Sequence, residues 1–141
     1  MGGEVIPGRL YFRGIHGLAP AELRDFCEER GIRTVILMTR GEPYDVAAAL
    51  PPGTRYEHWP LEDTETEPVP DWCAESAARA AEADEPVLVM CRGGLNRSGL
   101  IAALIASRKL GIGGAEAVEL VRAAREGALN NRAFAAYLST A

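Results

Sequence analysis

A short apolar run at residues 87–90, Val-Leu-Val-Met, leads directly into Cys91-Arg92-Gly93-Gly94-Leu95-Asn96-Arg97-Ser98, and from Ser98 to Leu110 the chain is apolar nearly all round. An apolar run of this length without alternation reads as a strand covered on both faces. A segment with no polar face reads as a central, buried helix. A buried strand, a glycine-containing loop and a buried helix, in that order, describe a layered α/β fold. In such folds a ligand site falls at the carboxyl end of the strand and the amino end of the helix.

The rest of the chain fits that architecture. Val5-Ile6 and residues 10–12 read as two short strands around the turn Pro7-Gly8. Residues 20–30 read as a helix: Pro20 suits a first turn, Leu23, Phe26 and Cys27 share a face, and Gly31 stops it. Residues 34–38, Thr-Val-Ile-Leu-Met, form a second buried strand pattern, and 44–50 a short helix ended by Pro51-Pro52-Gly53. A further strand is expected over 55–61, then a helix from Asp71, read as its cap, to Ala83. Helices at 115–125 and 130–138 complete the chain. The Pro- and Glu-rich stretch 60–70 is the longest expected loop, too short to link domains, so one domain over 1–141 is expected.

Composition narrows the function classes. At 141 residues and 48% hydrophobic, the chain can build a core without staples. A net charge of −5 argues against a nucleic-acid partner, which a basic face would attract. It leaves room for a small anionic ligand at a local basic loop. Three cysteines, Cys27, Cys73 and Cys91, form no close pair, which speaks against a disulfide framework or a zinc cluster and for a reducing, cytoplasmic setting. The opening stretch lacks the features of a signal peptide, and the best span candidate, Leu100 to Leu110, is too short for a membrane span and contains Arg108 and Lys109. No metal or cofactor is expected.

The loop itself carries chemistry. Backbone N–H groups of a tight turn and a helix amino end converge on an anion. Gly93 and Gly94 allow torsions that other residues resist. Arg97 offers a planar fork matched to two phosphate oxygens. Such a positive setting favours a Cys91 thiolate, and a thiolate beneath a bound tetrahedral anion is an in-line nucleophile.

The spacing Cys-x5-Arg-Ser in CRGGLNRS resembles the Cys-x5-Arg phosphatase superfamily, and in particular its dual-specificity and tyrosine phosphatases. Ile6-Pro7-Gly8-Arg9-Leu10-Tyr11 resembles the family's opening strand pair, and Gly31-Ile32-Arg33-Thr34-Val35-Ile36 its helix-to-strand junction. The resemblance implies a central, mostly parallel sheet of about 4–5 strands flanked by helices. It implies Cys91 as nucleophile, phosphate held by residues Arg92, Gly93, Gly94, Leu95, Asn96 and Arg97, and Ser98 hydrogen-bonded to the sulfur. It also implies an Asp on a mobile loop as general acid. Asp63, in Trp59-Pro60-Leu61-Glu62-Asp63 and 28 residues before Cys91, fits, with Glu62, Glu65 and Glu67 as neighbouring alternatives. The family's usual His before the cysteine is Met90 here, and Asn96 stands where Gly is common, a place Asn suits if the backbone is left-handed.

The implied activity is phosphomonoester hydrolysis on a phosphorylated protein, phosphotyrosine first, or on a small phosphomonoester. The loop lacks the lysines typical of phosphoinositide-directed relatives. Two other readings stand beside it. One is a rhodanese-like sulfurtransferase or arsenate reductase, the other a non-catalytic phosphate-binding module. Cys27 and Cys73 read as buried small hydrophobes. His58 reads as a strand residue at the site's edge, Arg13 and Arg40 as rim or surface residues, and Arg122 and Arg125 as a solvated helix face. The sequence leaves the oligomeric state open.

Overall fold

The computed structural model describes residues 2–140. Five strands form one sheet: β1 (Gly2–Ile6), β2 (Leu10–Gly14), β3 (Thr34–Leu37), β4 (Arg55–His58) and β5 (Val87–Cys91). Their spatial order is β1-β2-β5-β3-β4. β1 and β2 are an antiparallel hairpin, and every other pairing is parallel. The central strands β3 and β5 are buried at every position, as their unbroken apolar runs require.

Side-chain alternation along β5 sorts the core into two layers. Val87, Val89 and Cys91 face the layer built by α3 (Asp71–Glu82), α4 (Arg97–Leu110), α5 (Gly114–Ala124) and α6 (Arg132–Ser139). Leu88 and Met90 face the opposite layer, under α1 (Pro20–Arg30) and α2 (Val46–Ala49). The nucleophile candidate therefore shares its side of the sheet with the buried helix α4. Met90 is fully buried on the other side, among Leu23, Leu37 and Leu88, and brings no polar group to the loop that follows it.

Local signals explain the element ends. Pro20 opens α1, and Gly31 closes it in the left-handed conformation at φ 65°. Ala19 has no capping side chain, and Glu22 supplies the acceptor instead, taking the Ala19 N–H at 2.8 Å. Three expectations are corrected. β4 ends at His58 rather than Leu61, because Pro60 has no N–H to continue the ladder; Trp59 and Leu61 still donate to the Leu37 and Met38 carbonyls. Asp71 is the first residue of α3 and not its cap; Pro70 holds that position, and the Asp71 charge suits the positive helix end. α6 starts at Arg132, capped by Asn131. No helix among the described residues is long and apolar enough to cross a membrane.

Candidate active site

Cys91 ends β5 directly opposite Gly14, the last residue of the parallel strand β2. The loop from there to α4 is shaped from outside. The Cys91 carbonyl accepts the Ile15 N–H at 2.8 Å, and the Arg92 carbonyl accepts the His16 N–H at 3.1 Å. The Arg125 guanidinium donates to the Gly93 and Gly94 carbonyls at 2.6 and 2.9 Å. Leu129 N–H donates to the Leu95 carbonyl at 2.9 Å. Five consecutive carbonyls are thus drawn outward by donors beyond the loop. A peptide unit whose C=O turns out turns its N–H in, which is the geometry of an anion nest.

One of those amides shows the inward direction: Gly94 N–H donates to Cys91 Sγ at 3.3 Å. Ser98 Oγ lies 3.2 Å from the same sulfur, fully buried, at the start of α4. One N–H donor and one hydroxyl thus converge on the sulfur at a helix amino end. The other two cysteines differ: burial pushes the Cys27 thiol up to about 11 and the Cys73 thiol up to about 12. Burial keeps both as neutral thiols near pH 7.

Two glycines make the loop fit. Gly94 has φ 72°, and a side chain there would meet the Gly14 backbone nitrogen at 2.2 Å. A side chain on Gly14 would in turn meet the Arg92 carbonyl at 2.6 Å. Backbone thus packs on backbone where β2 backs the loop. Asn96 does not take the left-handed conformation that its expected role invoked. Its φ of −104° is ordinary, and Gly94 supplies the positive φ. The Asn96 side chain turns toward Asp63, Asn130 and Asn131.

Arg97 opens α4. Its Nη1 donates to the Leu61 carbonyl at 3.2 Å. Its Nε is the one buried side-chain nitrogen or oxygen among the described residues without a partner. A buried guanidinium N–H without an acceptor costs desolvation, and an oxyanion over the loop would satisfy it. Beside it opens a cavity of about 700 Å³, lined by loop 15–20, loop 39–44, Arg92 and Arg97. Tyr44 Oη donates to the Leu18 carbonyl at 2.9 Å and ties the two loops together.

The acidic loop is sorted by its partners. Glu62 pairs with Arg40. Glu65 accepts the Arg132 backbone N–H at 2.6 Å; that bond, with the Arg132 guanidinium, holds its carboxyl below the usual range. Glu67 lines a separate groove with Trp72 and Phe134. Asp63 is the acid bonded to the 91–98 loop itself, through Asn96. His58 contacts the Thr39 carbonyl on the edge strand, and Arg40 lines the cavity. Arg13 lies instead over the Phe26 ring, 4.9 Å from its centroid. Arg125 is not part of a solvated face but a clamp on the loop, and Arg122 holds the Leu129 carbonyl at 3.0 Å. Leu129 carries φ 58°, strain that its fully buried site sustains. Gly14, Arg125, Leu129 and Asn131 are the site-building residues that sequence reasoning did not find. Gly14, a glycine at a strand end, was the most visible of them.

No protein-family model matches the chain, and no curated protein sequence matches it. Solved structures do match over nearly its whole length. PTP-2 phosphatase of Cydia pomonella superposes with a TM-score of 0.81 at 19% identity, covering 99% of this chain and 88% of that one. Human DUSP28 gives 0.77 at 23%, covering 99% and 90%. A human tyrosine phosphatase-like serine/threonine/tyrosine-interacting protein gives 0.73 at 20%, covering 99% and 93%. The chain has the fold of the dual-specificity and tyrosine phosphatases, as its resemblance implied.

Proposed function

We propose that this chain, acting as one domain, is a cysteine-dependent phosphomonoester hydrolase of the tyrosine and dual-specificity type. The observation that carries the reading is the run of five outward-held carbonyls from Cys91 to Leu95, together with the buried, partnerless Nε of Arg97 at the start of α4. Such a nest is built for a tetrahedral oxyanion directly above a sulfur nucleophile.

The steps follow from that placement. Inward amides of Arg92 to Asn96 and the Arg97 fork bind the phosphoryl oxygens and stabilise charge as it spreads over them. Cys91 Sγ attacks phosphorus in line; the S–P bond forms as the bond to the leaving oxygen breaks. Asp63 gives that oxygen a proton. Water then attacks the cysteinyl-phosphate, Asp63 takes a proton from the water, and the Ser98 hydroxyl supports the sulfur as it departs. Asp63 thus acts as proton donor in the first step and as proton acceptor in the second.

A phosphorylated protein, phosphotyrosine first, is the favoured substrate class, since a cavity of about 700 Å³ beside Arg97 has room for an aryl group. A small phosphomonoester is the other. The likeness to a protein named as phosphatase-like and interacting favours a second reading, in which the nest binds phosphate without hydrolysis. Arsenate reduction is less well supported: Cys27 lies in the opposite core layer from Cys91, and Cys73, in the same layer, is fully buried on α3 with its thiol pushed up by burial. Purified, reduced protein is expected to hydrolyse an aryl phosphate at mildly acidic to neutral pH, with inhibition by vanadate. Phosphate binding without turnover would favour the second reading.

A further inference from the structure

The Asp63 carboxylate is held from two directions. Asn96 Nδ2 donates to one oxygen at 3.0 Å, and Asn131 Nδ2 to the other at 2.7 Å. The two asparagines are joined in turn, since Asn96 Oδ1 accepts the Asn131 backbone N–H at 2.9 Å. Asn131 also donates to the Thr64 carbonyl at 3.0 Å, and its Oδ1 caps α6 by accepting the Phe134 N–H at 3.0 Å. With the residue 4% exposed, both N–H donors and one of the two acceptor positions of its side chain are used.

The local fold does not demand these amides. A helix cap needs an acceptor, which Ser or Asp supplies as well as Asn. Position 96 has an ordinary backbone conformation that sets no requirement on its side chain. What asparagine adds at both places is an N–H donor, and each gives one bond to Asp63; the other goes to Asn130 Oδ1 from Asn96 and to the Thr64 carbonyl from Asn131. Each carboxyl oxygen offers two acceptor positions. One amide on each leaves the second free, so Asp63 can carry a transferable proton without releasing either asparagine.

We propose that Asn96 and Asn131 are positioning residues that latch the Asp63 loop to the 91–98 loop and aim the carboxyl at the leaving oxygen. The proposal rests on the reading of Asp63 as proton donor. The acid loop is then docked by the protein itself, and α6, last in the chain, is part of the catalytic geometry. A proton donor displaced by about 1 Å costs on the order of a hundredfold, and only where the leaving group needs the proton.

The test is kcat and kcat/KM over aryl phosphates whose phenols range from strongly to weakly acidic. Wild type, Asp63→Asn, Asn96→Gly and Asn131→Asp are compared. Asn131→Asp keeps the acceptor that caps α6 and turns a carboxylate toward Asp63. Asn131→Ser replaces it if thermal melting shows that the aspartate variant does not fold. Both asparagine variants are expected to lose roughly ten- to a hundredfold with the least acidic phenol and under about threefold with the most acidic. The dependence on leaving-group acidity then steepens toward that of Asp63→Asn. A uniform loss across the series, or none, while Asp63→Asn is steep, overturns the latch alone. An Asp63→Asn series as shallow as wild type overturns the latch together with the role of Asp63. Absence of wild-type turnover overturns the proposed function itself.

Discussion

Cys91→Ser is expected to abolish aryl phosphate turnover, a loss of about 10⁴-fold or more, while leaving phosphate binding intact. The substitution exchanges the sulfur for a hydroxyl oxygen that ionises far less readily. The carbonyl clamps from Ile15, His16, Arg125 and Leu129 are all made to backbone groups and do not depend on the side chain at 91. The anion nest therefore survives the loss of the nucleophile. Calorimetry with inorganic phosphate or vanadate on the serine variant separates the two. Retained binding with no turnover is the expected pair of results. Lost binding would mean that the nest depends on the sulfur.

Arg97→Ala carries the second large effect. A guanidinium bonded to two phosphoryl oxygens makes two charge-assisted hydrogen bonds, each about 1.5–3 kcal/mol. Their joint loss is roughly 3–6 kcal/mol, or about 10²- to 10⁴-fold in kcat/KM. Arg97→Lys keeps the charge but not the planar fork, and most of the loss should remain. Thermal stability should move little by comparison. The arginine gives up one bond to the Leu61 carbonyl, and the partnerless Nε goes with it. A lysine variant at nearly full rate would show that charge alone suffices at this position.

Much of this was legible in the residues because the informative signals are local. The apolar runs of β3 and β5, the Pro20 and Gly31 ends of α1, and the strand-loop-helix order around Cys91 are each written within a few neighbouring positions. Cys91, Ser98 and Arg97 share one loop, so their spacing implied their meeting. The residues that shape the loop from outside were not legible, because nothing near them names their target. Arg125 acts across 31 and 32 residues on Gly94 and Gly93. Asn131 acts across 68 on Asp63. A cap signal identifies Asn131 as an acceptor for its helix but says nothing of where its N–H groups go. The use of the Asn96 side chain is illegible for the same reason: backbone tolerance is visible in the residue, while its partners lie on a loop that sequence order does not place beside it. Among the acids at 62–67, arginine partners occupy Glu62 and Glu65, and only the fold could assign those pairings.

The central claim is that Cys91 becomes a cysteinyl-phosphate during turnover. Rapid acid quench of Asp63→Asn reacting with an activated aryl phosphate, followed by peptide mass spectrometry, tests it directly, because weakened activation of water lets the intermediate accumulate. One phosphoryl group on the Cys91 peptide, absent in Cys91→Ser, is the predicted result. A phosphoryl group on any other residue, or steady turnover with Cys91 unmodified throughout, would contradict it.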